Sequence, residues 1–181
     1  MDQSLISDLL AHPRVIETRL HMHHSVPKHD HMLRVAHYSY RIARYFGADV
    51  RTVVRAAMLH DLDSRKGTLT THGAIAAEVA AALGEPEPVS QAIISHMFPL
   101  GPAPTTREGW VLVVADKMAT FTDMTHFLSG LWNGRSLEMR RILLENDPHF
   151  AHRLAQRRSR RRHRETLRRL WRRRGRAGMS S

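Results

Sequence analysis

The sequence predicts an all-α fold. Apolar residues recur at helical spacing through most of the chain, alternating strand patterns are nearly absent, and glycines, prolines and capping residues fall at the ends of the periodic stretches. Residues 4–10 read as a short first helix stopped near Pro13, and 14–23 as a second, broken by Pro27. Over 31–46, Met32, Val35, Ala36, Ile42, Ala43 and Phe46 trace one helical face. His29 and Asp30 read as a polar stretch before it, with Asp30 as N-cap, and Gly47 ends it. Asp49 caps the next helix, 50–62, whose stripe is Val53, Val54, Ala57, Met58 and Leu62. A polar loop covers 63–70, and an alanine-rich helix follows at 74–83, after Thr71 and His72. Gly84, Pro86 and Pro88 mark a turn, 89–97 a helix, and Pro99, Gly101, Pro102 and Pro104 a stiff loop. Residues 107–128 read as a long buried helix and 136–146 as the next, with Gly130 and Gly134 loosening the chain between them.

The 181 residues fit one domain with a real core, placed at 1–150, followed by a basic segment at 151–181. The net charge of +11 belongs to the segment alone. From His152 onward there are 13 arginines, no lysine and the single acid Glu165, which leaves 15 basic against 16 acidic residues over 1–151. The segment reads as a nucleic-acid contact, as a weaker candidate for an anionic membrane surface, or as a solvated tail. Leu167, Leu170 and Trp171 share one helical face, and the stretch after Gly175 is expected to be disordered. No apolar run approaches the ~20 residues of a membrane span, and no secretory signal opens the chain, so a cytoplasmic protein is expected.

The absence of cysteine excludes disulfides, thiolate metal sites and a cysteine nucleophile. A metal site must therefore use imidazole and carboxylate. The sharpest feature is His60-Asp61, at the end of the apolar stripe Ala56-Ala57-Met58-Leu59. Burying an ionised carboxylate is costly unless it is paired or metal-bound. His31 opens an amphipathic helix, and Asp116 follows Val111-Leu112-Val113-Val114-Ala115. Asp116 reads either as a ligand or as half of a buried ion pair with a nearby base, and Lys117 stands next to it. His72 and His96, at a helix start and a helix end, read either as ligands or as satisfied polar residues. Six candidate ligands without a thiolate suit a hard or borderline ion such as Fe, Mn, Mg or Zn.

The order His31 … His60-Asp61 … Asp116, with the phrases His31-Met-Leu-Arg34-Val35-Ala36 and Val114-Ala115-Asp116-Lys117, resembles the HD-domain superfamily of metal-dependent phosphohydrolases. The resemblance runs from about residue 29 to 125. It implies a helical bundle of about five core helices, each supplying one ligand except the second, which supplies the doublet. His72-Gly73 and Ala92-Ile93-Ile94-Ser95-His96 resemble the positions that complete a two-metal site in bacterial branches such as the dinucleoside polyphosphate hydrolases. What this implies is cleavage of a phosphate ester or anhydride of nucleotide type by metal-activated water. One or two divalent ions are implied, Fe or Mn before Mg, Zn or Co. His31, His60, Asp61 and Asp116 would hold the first ion and Asp61, His72 and His96 the second. Many relatives carry a lysine three residues after the doublet, and here that position is Ser64, followed by Arg65 and Lys66. Lys117, Arg65 and Lys66 are the candidates to neutralise phosphate charge. For Arg34 a salt bridge within the bundle is the expectation, and for Asp63 and Glu78 a surface or capping role rather than that of a general base. Two other readings are a nucleic-acid- or ribosome-associated protein with a vestigial core, and a di-iron oxygenase on the same fold.

Overall fold

The computed structural model describes residues 1–23 and 25–147, together with Ala155, Arg158, Ser159, Arg161, Arg162 and Glu165. The basic segment, including the expected face of Leu167, Leu170 and Trp171, otherwise lies outside the described residues. Among these there are eight α-helices and one small ribbon: α1 (Ser7–Ala11), α2 (Pro13–Glu17), β1 (Met22–His23), β2 (Val26–Pro27), α3 (Lys28–Phe46), α4 (Val50–Leu59), α5 (His72–Ala82), α6 (Glu87–Ile94), α7 (Arg107–Leu131) and α8 (Arg135–Asn146). The expected all-α architecture is present. No helix is long and apolar enough to cross a membrane.

Helix α3 is the spine. It buries Met32, Val35, Ala36 and Ala43 against α4 and α7, its most extensive neighbours. Gly47 stops it at φ 64°, where a left-handed residue closes the helix end at no steric cost to glycine. The Asp49 carboxylate then accepts from the Thr52 amide and starts α4. Helices α5 and α6 form a second pair, and Ser90 Oγ donates to the Ala77 carbonyl across it. The Gly73 Cα comes so close to α6 that a Cβ there would stand 2.8 Å from the Ile94 carbonyl oxygen. Arg55, on α4, ties the N-terminal segment to the bundle: it donates to the Leu5 carbonyl, to the Asp8 carboxylate and to Glu85.

Of the boundaries that differ from the sequence reading, three bear on the site. The expected helix over 14–23 ends at Glu17, continues as a single 3-10 turn (Thr18–Leu20) and gives way to the ribbon. Ser25 at φ 75° turns that ribbon, and Met22 pairs with Pro27. Helix α3 starts at Lys28, directly after Pro27, so His29 is buried in its first turn and Asp30 lies within the helix instead of capping it. The proline fixes the entry and the Lys28 amide bonds back to the His21 carbonyl. Helix α4 ends at Leu59 rather than 62, which frees His60 and Asp61 from helical spacing. Asp63, at φ 53°, completes the turn.

Candidate metal centre

The buried ends of four helices converge on the middle of a fifth. His31 comes from the first turn of α3, His60 and Asp61 from the turn after α4, His72 from the start of α5, His96 from just past α6, and Asp116 from the middle of α7. All six are buried. His31 Nε2 lies 3.2 Å and His60 Nε2 3.7 Å from Asp116 Oδ1. His72 Nε2 lies 3.8 Å from Asp61 Oδ1 and 3.0 Å from His96 Nε2. Two groups result, His31 with His60 and Asp116, and His60 with Asp61 and His96, each with ligand atoms within 4.8 Å of one another.

The hydrogen bonds behind the rings decide what faces inward. His60 Nδ1 donates to the Ala57 carbonyl at 2.8 Å, His96 Nδ1 to the Ile93 carbonyl at 2.7 Å and His72 Nδ1 to the Thr68 carbonyl at 3.0 Å. A carbonyl only accepts, so Nδ1 carries the proton in each ring. His31 Nδ1 meets the Asp123 carboxylate at 2.7 Å, with the same result. With Nδ1 so engaged, the four rings turn Nε2 toward one another and toward two carboxylates. Burial holds His60 below the ordinary imidazole range, and burial together with the neighbouring His60 brings His96 down to about 4. His31 Nε2 and Asp61 Oδ2 are buried without a hydrogen-bond partner. Imidazole nitrogens and carboxylate oxygens packed this closely in a dry interior suit a cation held between them. The residues present fit a divalent ion with imidazole and carboxylate ligands.

The carboxylates are ionised. Burial works to raise Asp116, but contact with His31 and the charge of Lys117 hold it below the usual range. Burial also opposes ionisation of Asp61, and His23 and Lys28 more than offset it.

The three cationic candidates lie in different places. Lys117 Nζ sits 2.8 Å from Asp116 Oδ2 and 3.3 Å from the His96 carbonyl, with its side chain half exposed at the rim. Arg65 turns away from the cluster: it donates to Asp147 Oδ1 at 2.6 Å and lies 2.7 Å from His21 Nε2. Lys66 reaches Asp63 Oδ2 at the surface. Asp63 also pairs with Arg14, and Arg34 pairs with Asp123.

Sequence reasoning missed three residues. Asp123 is fully buried and holds His31 from behind. It was findable, because it lies seven residues after Asp116 and so on the same face of α7. His23 stands with Nδ1 2.9 Å from Asp61 Oδ2 and its ring stacked on His31, centroids 4.2 Å apart. Lys28 is buried and donates to the Asp61 carbonyl at 3.1 Å and to Ser64 Oγ at 2.7 Å, bracing the turn that carries the doublet.

Residues 29–120 match the family model of the HD domain. Ribonuclease Y of Cutibacterium acnes (strain DSM 16379 / KPA171202) is 37% identical over 83 residues, covering 42% of this chain and 15% of that protein. The matched stretch is thus a small part of that relative's length. No solved structure matches.

Proposed function

Because the chain belongs to the HD-domain family, we propose that it is a metal-dependent phosphohydrolase cleaving a phosphate ester or anhydride of nucleotide type at the imidazole and carboxylate centre. The observation that carries this reading is the set of four Nε2 atoms, on His31, His60, His72 and His96, each turned inward by the bond its Nδ1 makes. A vestigial core has no use for four oriented lone pairs and two buried carboxylates, which cost stability unless an ion offsets them. His31, His60, Asp61 and Asp116 would hold one ion, and Asp61, His72 and His96 a second. Bound divalent ions lower the pKa of water and draw charge from phosphoryl oxygens. The chain's own part is orientation and charge. The Nδ1 bonds fix the rings, His60 belongs to both groups with Asp61 beside it, and the half-exposed Lys117 offers an ammonium to a phosphate oxygen entering at the rim. The mixed set suits iron through its imidazoles and manganese through its carboxylates.

The test uses the full chain purified without chelator. Metal content is measured, and hydrolysis of bis-p-nitrophenyl phosphate, nucleotides and dinucleoside polyphosphates is followed with Mn or Fe(II) added. Bound metal with metal-dependent phosphate release is the expected result. A folded protein with neither would overturn the reading.

A second reading is favoured by the similarity to a protein named Ribonuclease Y and by the 13 arginines beyond His152. In it the phosphodiester belongs to RNA, and the arginines supply a salt-dependent, sequence-blind affinity. RNA binding by the full chain and by a version ending at Phe150, compared across salt, separates the two. Equal binding by both removes the segment from this reading.

A further inference from the structure

The ribbon β1–β2 precedes the stretch matched by the family model, yet it delivers an imidazole to the centre. His23 Nδ1 lies 2.9 Å from Asp61 Oδ2, a buried oxygen without a hydrogen-bond partner. The His23 ring is stacked on His31, with planes 25° apart, so both rings face the same region. His23, His31 and Asp61 form a third group whose ligand atoms lie within 4.8 Å of one another. We propose that His23 is a further metal ligand, a fifth imidazole at the centre, and that it biases the site toward first-row transition dications over magnesium.

The structure around the ribbon holds His23 in place. Asp147, buried beyond the end of α8, accepts from the Met22 amide at 3.0 Å through Oδ2 and from Arg65 at 2.6 Å through Oδ1. Arg65 also lies against His21, and Arg140 of α8 donates to Ser25 Oγ at 2.9 Å. Both sides of the turn in the ribbon are thereby clamped to α8. In this arrangement Arg65 positions the residue next to a ligand, through Asp147. Selectivity follows from donor chemistry: imidazole nitrogen suits Fe, Co, Ni and Zn, whereas magnesium demands oxygen and water.

The inference rests on the metal-centre reading, and the experiment separates the two. Apo full-length protein and its His23→Ala and His23→Gln variants are titrated with Co(II), Mn(II) and Mg(II), and their apo melting curves are recorded. The wild type is expected to bind Co(II) with visible d–d bands. Both variants should fold, with a modest drop in apo melting temperature from the lost contact to Asp61, since the His23 side chain is partly exposed. They should bind Co(II) about 10-fold or more weaker, with altered bands that added imidazole restores in His23→Ala. The affinity ratio of Co(II) to Mg(II) should fall in both. Identical bands and affinities in wild type and a folded variant would overturn the role of His23 alone. A wild type that binds no ion would overturn the centre as a whole, and His23 with it.

Discussion

His31, His60 and Asp116 sit on α3, at the end of α4 and on α7, three helices that pack along one another through the core. His72 and His96 sit at the ends of α5 and α6, which are each other's most extensive neighbour. The difference extends to what stands behind each ring. His31 is braced by a fully buried carboxylate 92 positions away, itself paired with Arg34. His72 is braced by a loop carbonyl four residues back, in a run of exposed threonines whose hydroxyls bond one another. The first group owes its geometry to the whole core, the second to a local turn. The first is therefore expected to hold an ion more tightly, and the second to be the more adaptable.

Removing one ligand from each side tests this most strongly. Asp116→Asn keeps the volume and removes the charge. It should abolish the tighter binding event and metal-dependent hydrolysis, with a loss exceeding the 10–100-fold typical of supporting residues. His72→Asn should weaken only the second event and leave the first unchanged. Two-step titration of each apo variant, read by calorimetry, checks both. Equal effects on both steps would erase the distinction between the groups.

Asp123→Asn is expected to have the next largest effect. The amide can still accept from His31 Nδ1, but it no longer lends negative charge to the ring, and Arg34 loses its partner. Metal affinity should fall about 10–100-fold at the first site, with the second unaltered. Because the Arg34 Nη1 that faces Asp123 is buried, the variant should also lower the melting temperature of the apo protein.

Gly73→Ala gives the smallest effect. The new methyl would press on the Ile94 carbonyl at 2.8 Å, and neither backbone can yield without shifting its helix. Overpacking of this kind costs roughly 1–3 kcal/mol, read as a lower melting temperature. Because His72 and His96 flank that contact, the second binding event should weaken with it while the first holds.

The helices were largely legible because their stripes, caps and Gly47 obey local rules. The six converging residues were legible as polar groups that apolar stretches would bury, with the doublet His60-Asp61 as the sharpest. What escaped shows the limit of local reading. A strand of two residues has no period, so nothing in Met22-His23 announces a ribbon. Arg65 looked like a phosphate ligand because its partner Asp147 lies 82 positions away. Asp123 was the avoidable omission. It repeats Asp116 two turns later on α7, as Arg34 repeats His31 one turn later on α3, and the two faces meet.

The carbonyls that accept from His60, His96 and His72 belong to residues three, three and four positions earlier in the chain. Each such ring can settle into its rotamer as soon as its own helix end or turn has formed, before the bundle closes around it. The entropy of ordering these side chains is then spent during folding and is not charged to the affinity for an ion. Only His31 waits for tertiary assembly, because its brace comes from another helix. Arrival of α7 against α3 is thus the event that completes the centre, and any condition that separates those two helices should silence it while the other three imidazoles stay aimed.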